Sequence, residues 1–191
     1  MVDSGRTPGA RRYGDDGGVT VSVVWAREPI PTGPSVFLAG PTPRSEAVAS
    51  WRPQAIHALD RAWKKPDTLH VLVPENPGGL RETEYEDQIE WEWEGLDRAS
   101  AILFWIPRDL RTLPGFTTNV EFGLVARSGR AVLGCPPDCP NPERNRYLVR
   151  LARRFGTPVT QTLPETVAAA MKIVSGADIT RQSQAAHVWV E

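Results

Sequence analysis

Cysteine, histidine and any surplus of charge are scarce in this chain, and each scarcity removes a class of function. Its 191 residues hold two cysteines, Cys135 and Cys139, four apart in the proline-rich "GCPPDCPNPERN". Two thiols make no disulfide framework, and they read as free thiols in a reducing compartment. The three histidines, His57, His70 and His187, are scattered singly, so no metal site is expected. The net charge is −1, from 22 basic against 23 acidic residues. No basic surplus points to a nucleic acid polymer as partner, although a single nucleotide stays open. No apolar run reaches the roughly 18 residues that span a bilayer, so no membrane partner is expected. The opening "MVDSGRTPGARRYGDDGG" lacks the apolar centre of a signal peptide, and a cytoplasmic location is the expectation.

What remains is an ordinary globular balance, 40% hydrophobic and 24% charged, enough for one domain with a filled core. Residues 1–18, rich in Gly, Arg and Asp, read as disordered, residues 19–175 as a single α/β domain, and residues 176–191 as a tail. Continuous apolar runs recur as "VTVSVVWA" (19–26), "VFLAG" (36–40), "LHVLVPE" (69–75), "SAILFWIP" (100–107) and "AVLG" (131–134), with "TPVTQT" as a further short candidate. Helical patterns lie between them: one regular from about Trp51, one in "TETEYEDQIEWEWEGLDRA", one over 118–129, one over 142–156 and one in "LPETVAAAMKIVS". Thr83 with Glu86 has the spacing of a capping box. Strands apolar on both faces, alternating with helices, predict a three-layer, flavodoxin- or Rossmann-like α/β fold. Its parallel sheet has about five strands, with helices on both faces. Ligands of such sheets bind beyond the carboxyl ends of the strands, at the point where the strand order reverses.

Two carboxylates stand out against this plan. On the acidic second helix, 100° spacing makes Tyr85, Ile89, Trp93 and Leu96 the expected core face. Glu86, Asp87, Glu90, Glu94 and Asp97 fall on the opposite, solvated side. Glu92 points toward the covered side, beside Gln88, where a salt bridge and a functional acid are both open readings. Glu121 heads a stripe of Leu124, Val125 and Ser128. The "TNVE" pattern makes it a capping-box candidate through Thr118. The alternative is an ionised carboxylate facing a cleft near a helix N-terminus, suited to a nucleophile. An acid held among aromatics, such as Glu92, would instead suit proton donation, and such a contrasting pair is the arrangement of glycoside cleavage.

Together, "VFLAGPTPR", "YEDQIEWEWEGLDRASAILFWIP" and "TTNVEFGLVARSGRAVLG" resemble the nucleoside 2-deoxyribosyltransferase superfamily, in particular its divergent bacterial branch. The likeness covers roughly residues 35 to 172 in order. It implies that Glu121 of the E-x-G helix attacks C1′ of a nucleoside, and that Glu92 handles the proton of the base. It also implies that Asp109 contacts the sugar, that Ala39, Gly40 and Pro41 form the turn along it, and that Thr118 and Asn119 approach the sugar or a phosphate. Arg44, Arg52, Arg108 and Arg111 are cations available to a 5′-phosphate, each with a plain reading as a solvated surface residue. Trp105 is a candidate to stack on a base, with a core role as its plain reading. The implied partners are a nucleoside or nucleotide and a free nucleobase, in a homo-oligomer, with neither cofactor nor metal. Transfer to a second base, hydrolysis of a nucleoside 5′-monophosphate, and an inactive nucleotide-binding or regulatory module remain open readings.

Overall fold

The apolar runs become strands whose buried positions leave no polar face. The computed structural model describes residues 12–13, 21–45, 47–77 and 85–176. The elements run β1 (Arg12–Tyr13), β2 (Val21–Trp25), β3 (Ser35–Ala39), α1 (Arg52–Ala62), β4 (Leu69–Val73), α2 (Tyr85–Arg98) and β5 (Ala101–Trp105). They continue with α3 (Phe116–Val125), β6 (Ala131–Gly134), a 3-10 turn at Pro142–Asn145, α4 (Arg146–Phe155), β7 (Val159–Thr160) and α5 (Leu163–Val174). Every residue of β3, β5 and β6 is buried, as a sheet covered on both faces requires.

The sheet order is β1-β2-β4-β3-β5-β6-β7. From β2 to β7 all pairings are parallel, a six-stranded parallel sheet, and β1 pairs antiparallel with β2 at its edge. Residues Arg12 and Tyr13 thus form a strand within the 1–18 stretch read as disordered; the rest of that stretch and residues 177–191 lie outside the described residues. Within the order β4-β3-β5-β6-β7 the winding starts at β3, moves out to β4, then reverses to β5 and onward. The reversal point lies between the carboxyl ends of β3 and β5.

Helices α1 and α5 cover one face through Ala55, Ile56, Leu59, Val167 and Ala170. Helices α2, α3 and α4 cover the other through Trp91, Leu96, Phe122, Val125, Leu148 and Ala152. Two expected helix faces are corrected here. On α2 the buried residues are Gln88, Trp91, Gly95 and Leu96, whereas Trp93 is 53% exposed. Gly95 lies against the Phe37 ring, where an added Cβ would come within 2.6 Å. That close approach turns the helix about a quarter turn from the face expected from aromatic content. On α3 the buried residues are Thr118, Phe122 and Val125, while Leu124, and Ser128 in the turn after the helix, face solvent.

Candidate active site at the carboxyl ends of β3 and β5

The AGP turn leaves β3 in a backbone conformation that only glycine adopts readily. Gly40 has φ 151°, and a Cβ there would meet the Trp105 carbonyl and lie 2.8 Å from the Trp51 ring. The Trp51 indole N–H donates to the Pro41 carbonyl at 3.1 Å. Arg52, buried at the start of α1, donates through Nε to the Leu38 carbonyl at 3.1 Å and through Nη2 to the Gly40 carbonyl at 2.8 Å. Its Nη1 reaches the Thr42 hydroxyl at 3.3 Å and forms a buried ion pair with Glu75, at the end of β4. Ser50 donates to both Glu75 oxygens, at 3.1 and 2.8 Å. This network fixes residues 38–42 as one wall.

The opposite wall is the start of α3. Gly115, at φ 59°, is its N-cap, and no side chain caps the helix. Glu121 therefore lies in the second turn and is not the reciprocal partner of a Thr118 cap. The capping-box reading fails because the helix begins at Phe116, three residues earlier than the "TNVE" pattern implies. Arg108, also buried, holds this wall in place. Its Nη1 donates to the carbonyls of Pro114 and, at 3.1 Å, Gly115. Its Nη2 donates to Asn119 Oδ1 at 2.7 Å and its Nε to Asn145 Oδ1 at 2.9 Å. Asn145 Nδ2 in turn donates to the Ile106 carbonyl at 3.1 Å. Burial pulls the guanidinium of Arg108 below its ordinary value.

Between the walls is a cavity of about 560 Å³, the size of a small-ligand site. Glu92 from α2 and Glu121 from α3 both line it, as do Gly40, Pro41, Arg44 and Thr118. Gln88 is buried below Glu92, donating from Nε2 to Glu92 Oε1 at 2.6 Å and to the Pro74 carbonyl at 3.3 Å. The cavity thus gathers residues from four separated stretches, 40–44, Pro74, Glu92 and 114–121, at the predicted reversal point of the sheet.

Other expected site residues sit elsewhere. Asp109 is turned into its own loop, accepting from the Arg111 amide at 2.8 Å and the Thr112 hydroxyl at 2.7 Å. Those bonds hold its carboxyl below the usual range, the Thr112 hydroxyl foremost. Trp105 is buried beside Trp51 in the core of the α1 and α5 face. Ala39 is buried in the opposite core cluster. Asn119 is exposed and serves Arg108, and Arg111 is exposed on the loop. Arg52 and Arg108 are not solvated surface residues: both guanidiniums are spent on backbone and side-chain oxygens.

A family model described as "Nucleoside 2-deoxyribosyltransferase like" matches residues 33–139. The chain belongs to this nucleoside 2-deoxyribosyltransferase-like family. No curated protein matches the chain. The family match begins just before β3 and ends after β6, so it contains both cavity walls and both glutamates, while β2, α4 and α5 lie outside it. Glu75 is the residue the sequence reading misses, and the two arginines are named there for a phosphate or for the surface, not for the buried roles they take. A signal was present: Arg52 stands at the N-terminal end of a helix, the pole that disfavours a cation, and Glu75 directly follows an apolar strand.

Proposed function

We propose that the protein cleaves the N-glycosidic bond of a nucleoside or nucleotide, with Glu121 as nucleophile and Glu92 as the proton-handling acid. The reading rests on one observation above all: two glutamates from different helices line a single cavity at the reversal point of a nucleoside 2-deoxyribosyltransferase-like sheet. In the forward step a Glu121 carboxylate oxygen bonds to C1′ as the C1′–N bond breaks, and the bonding pair leaves with the base. Glu92 supplies the proton that the departing base takes up. A second base or water then attacks C1′ of the glycosyl ester while Glu92, now a carboxylate, takes up its proton, and Glu121 is regained as carboxylate.

Gln88 is the positioning residue in this scheme, since its amide holds one oxygen of Glu92. Gly40 and Pro41 form the surface along the sugar, and Thr118 lies on the facing wall. Asp109 acts on the loop that leads into α3. Arg44, exposed at the cavity, favours a substrate with an anionic 5′ end, which makes nucleoside 5′-monophosphates the second class to assay.

The test is chromatographic. The purified chain is incubated with nucleosides and nucleoside 5′-monophosphates, with and without a second free base, beside Glu121→Ala. Free or exchanged base from the parent protein, reduced by at least about a thousandfold in the variant, is the expected result. Tight nucleotide binding without base release from either protein would replace catalysis with a binding role.

A further inference from the structure

A second cavity, of about 390 Å³, opens beyond the carboxyl end of β6, between the loop that follows this strand and α4. Its two sides differ in kind. The loop side is Cys135, Pro136, Pro137 and Pro142, a wall that is largely apolar and stiffened by its prolines. The helix side supplies Arg146, Arg150 and Arg153, with Val149 between them. At 100° per residue the three arginines fall within about 60° of one another, so a single face of α4 carries them all. No carboxylate lines the cavity, and among the described residues none of the three arginines forms an ion pair.

Helix energetics do not account for this row. A cationic last turn suits a helix dipole, and Arg153 with Arg154 has that explanation. Arg146 has the opposite situation: it opens α4, at the pole that disfavours a cation. Arg146 and Arg150 also repel each other at four-residue spacing, and α4 carries no acidic residue to offset them. The floor beneath is already fixed. Asn145 is buried, accepting from Arg108 and donating to the Ile106 carbonyl, so the cavity does not need to form around an occupant.

We propose that this cavity binds an anion built of linked phosphates, either an inorganic polyphosphate or the phosphate chain of a nucleoside triphosphate. Arg146 and Arg153 stand about 10 Å apart along the helix axis. A chain of phosphates meets such a row group by group, giving each guanidinium oxygens of its own. The row is arginine at every position, and the guanidinium fork matches phosphate oxygens in pairs where a lysine ammonium would not. This cavity shares no lining residue with the one that holds Glu92 and Glu121, and α4 lies outside the family match. Binding here does not depend on glycosyl chemistry.

Titration calorimetry of the full chain with inorganic tripolyphosphate, at about 0.15 M salt and without divalent cations, tests the assignment. One site is expected, with a dissociation constant below about 100 µM. Inorganic phosphate should bind at least about tenfold more weakly, since it cannot span the row. Arg150→Gln should weaken tripolyphosphate about tenfold, and Arg150→Gln with Arg153→Gln about a hundredfold. Arg154→Gln removes the same charge from the same helix but outside the cavity lining, and should change affinity less than about threefold. Each variant should keep the cooperative thermal transition of the parent, because these side chains are exposed. Adenosine triphosphate identifies the source: affinity at least about tenfold above tripolyphosphate would place its base on the proline wall, and equal affinity would make the inorganic chain sufficient. No binding of tripolyphosphate up to about 1 mM would overturn the site. So would phosphate binding as tightly as tripolyphosphate, Arg154→Gln as damaging as Arg150→Gln, or undiminished affinity in the double variant. None of these readouts uses base release, so failure here is separate from failure of the Glu121→Ala assay.

Discussion

Two buried arginines hold the two walls of the cavity, and they solve the problem of a buried cation differently. Arg52 meets a carboxylate, Glu75, and shares its remaining donors among the oxygens of Leu38, Gly40 and Thr42. Arg108 meets none: among the described residues its bonds go to two carbonyls and two amide oxygens. One charge is cancelled by a charge, the other is solvated by fixed dipoles. Removing either residue should therefore expose different debts. Deleting Arg52 strands a buried anion, whereas deleting Arg108 strands only neutral acceptors.

The largest effect is expected at the paired site. Arg52→Met should cost about 3–5 kcal/mol in chemical denaturation, because Glu75 would be left buried without its partner. Arg52→Met combined with Glu75→Leu should recover much of the loss, since an apolar pair of similar volume replaces the ion pair. A double variant no better than Arg52→Met would show that the backbone bonds to Leu38 and Gly40, not the ion pair, dominate.

The unpaired site should be milder. Arg108→Met is expected to cost about 2 kcal/mol, the scale of unsatisfied neutral groups. Its larger consequence should fall on turnover. The wall that Arg108 holds begins the helix carrying Glu121, and a small displacement of a reacting group costs about a hundredfold in rate. A variant as unstable as Arg52→Met would erase the distinction between the two walls.

This contrast also marks how far the sequence could be read. The strands were legible because β3, β5 and β6 are apolar without interruption, and the alternation with helices gave the layers and the place of the cavity. The inward lean of Glu92 could be derived from helical spacing, even though Trp93 was placed in the core and Trp91 was not. The error has a local cause, the contact of Gly95 with Phe37, which involves a partner 58 positions away in the chain and so leaves no mark in the helix itself. The start of α3 was likewise hidden, because Gly115 caps it through backbone geometry and not through a side chain. Buried arginines are the hardest case. Composition treats a long cation as surface, and only its acceptors, scattered over Leu38, Gly40, Pro114 and Asn145, reveal otherwise.

The smallest predicted effect tests whether Arg108 truly lacks a counterion. Cys135, just past β6, and Cys139 are nearby groups able to become anions, and Arg108 with Cys135, the more buried of the two, would resemble Arg52–Glu75 if that thiol ionised. Burial pushes that thiol up to about 12, against the opposing pull of Arg108. The direction fixes the outcome: well below that value the sulfur stays protonated and neutral, so at pH 7 it cannot cancel the guanidinium. Thiolate absorbance should then show no ionisation of Cys135 between about pH 6 and pH 9 in a Cys139→Ser background, and alkylation should be slow over the same range. Cys135→Ala should shift stability by no more than about 1 kcal/mol, with no dependence on pH between about pH 6 and pH 8, below the range where an unfolded thiol ionises. A thiolate titrating near neutrality, with stability rising alongside it, would make Arg108 the second member of an ion pair and the two walls alike.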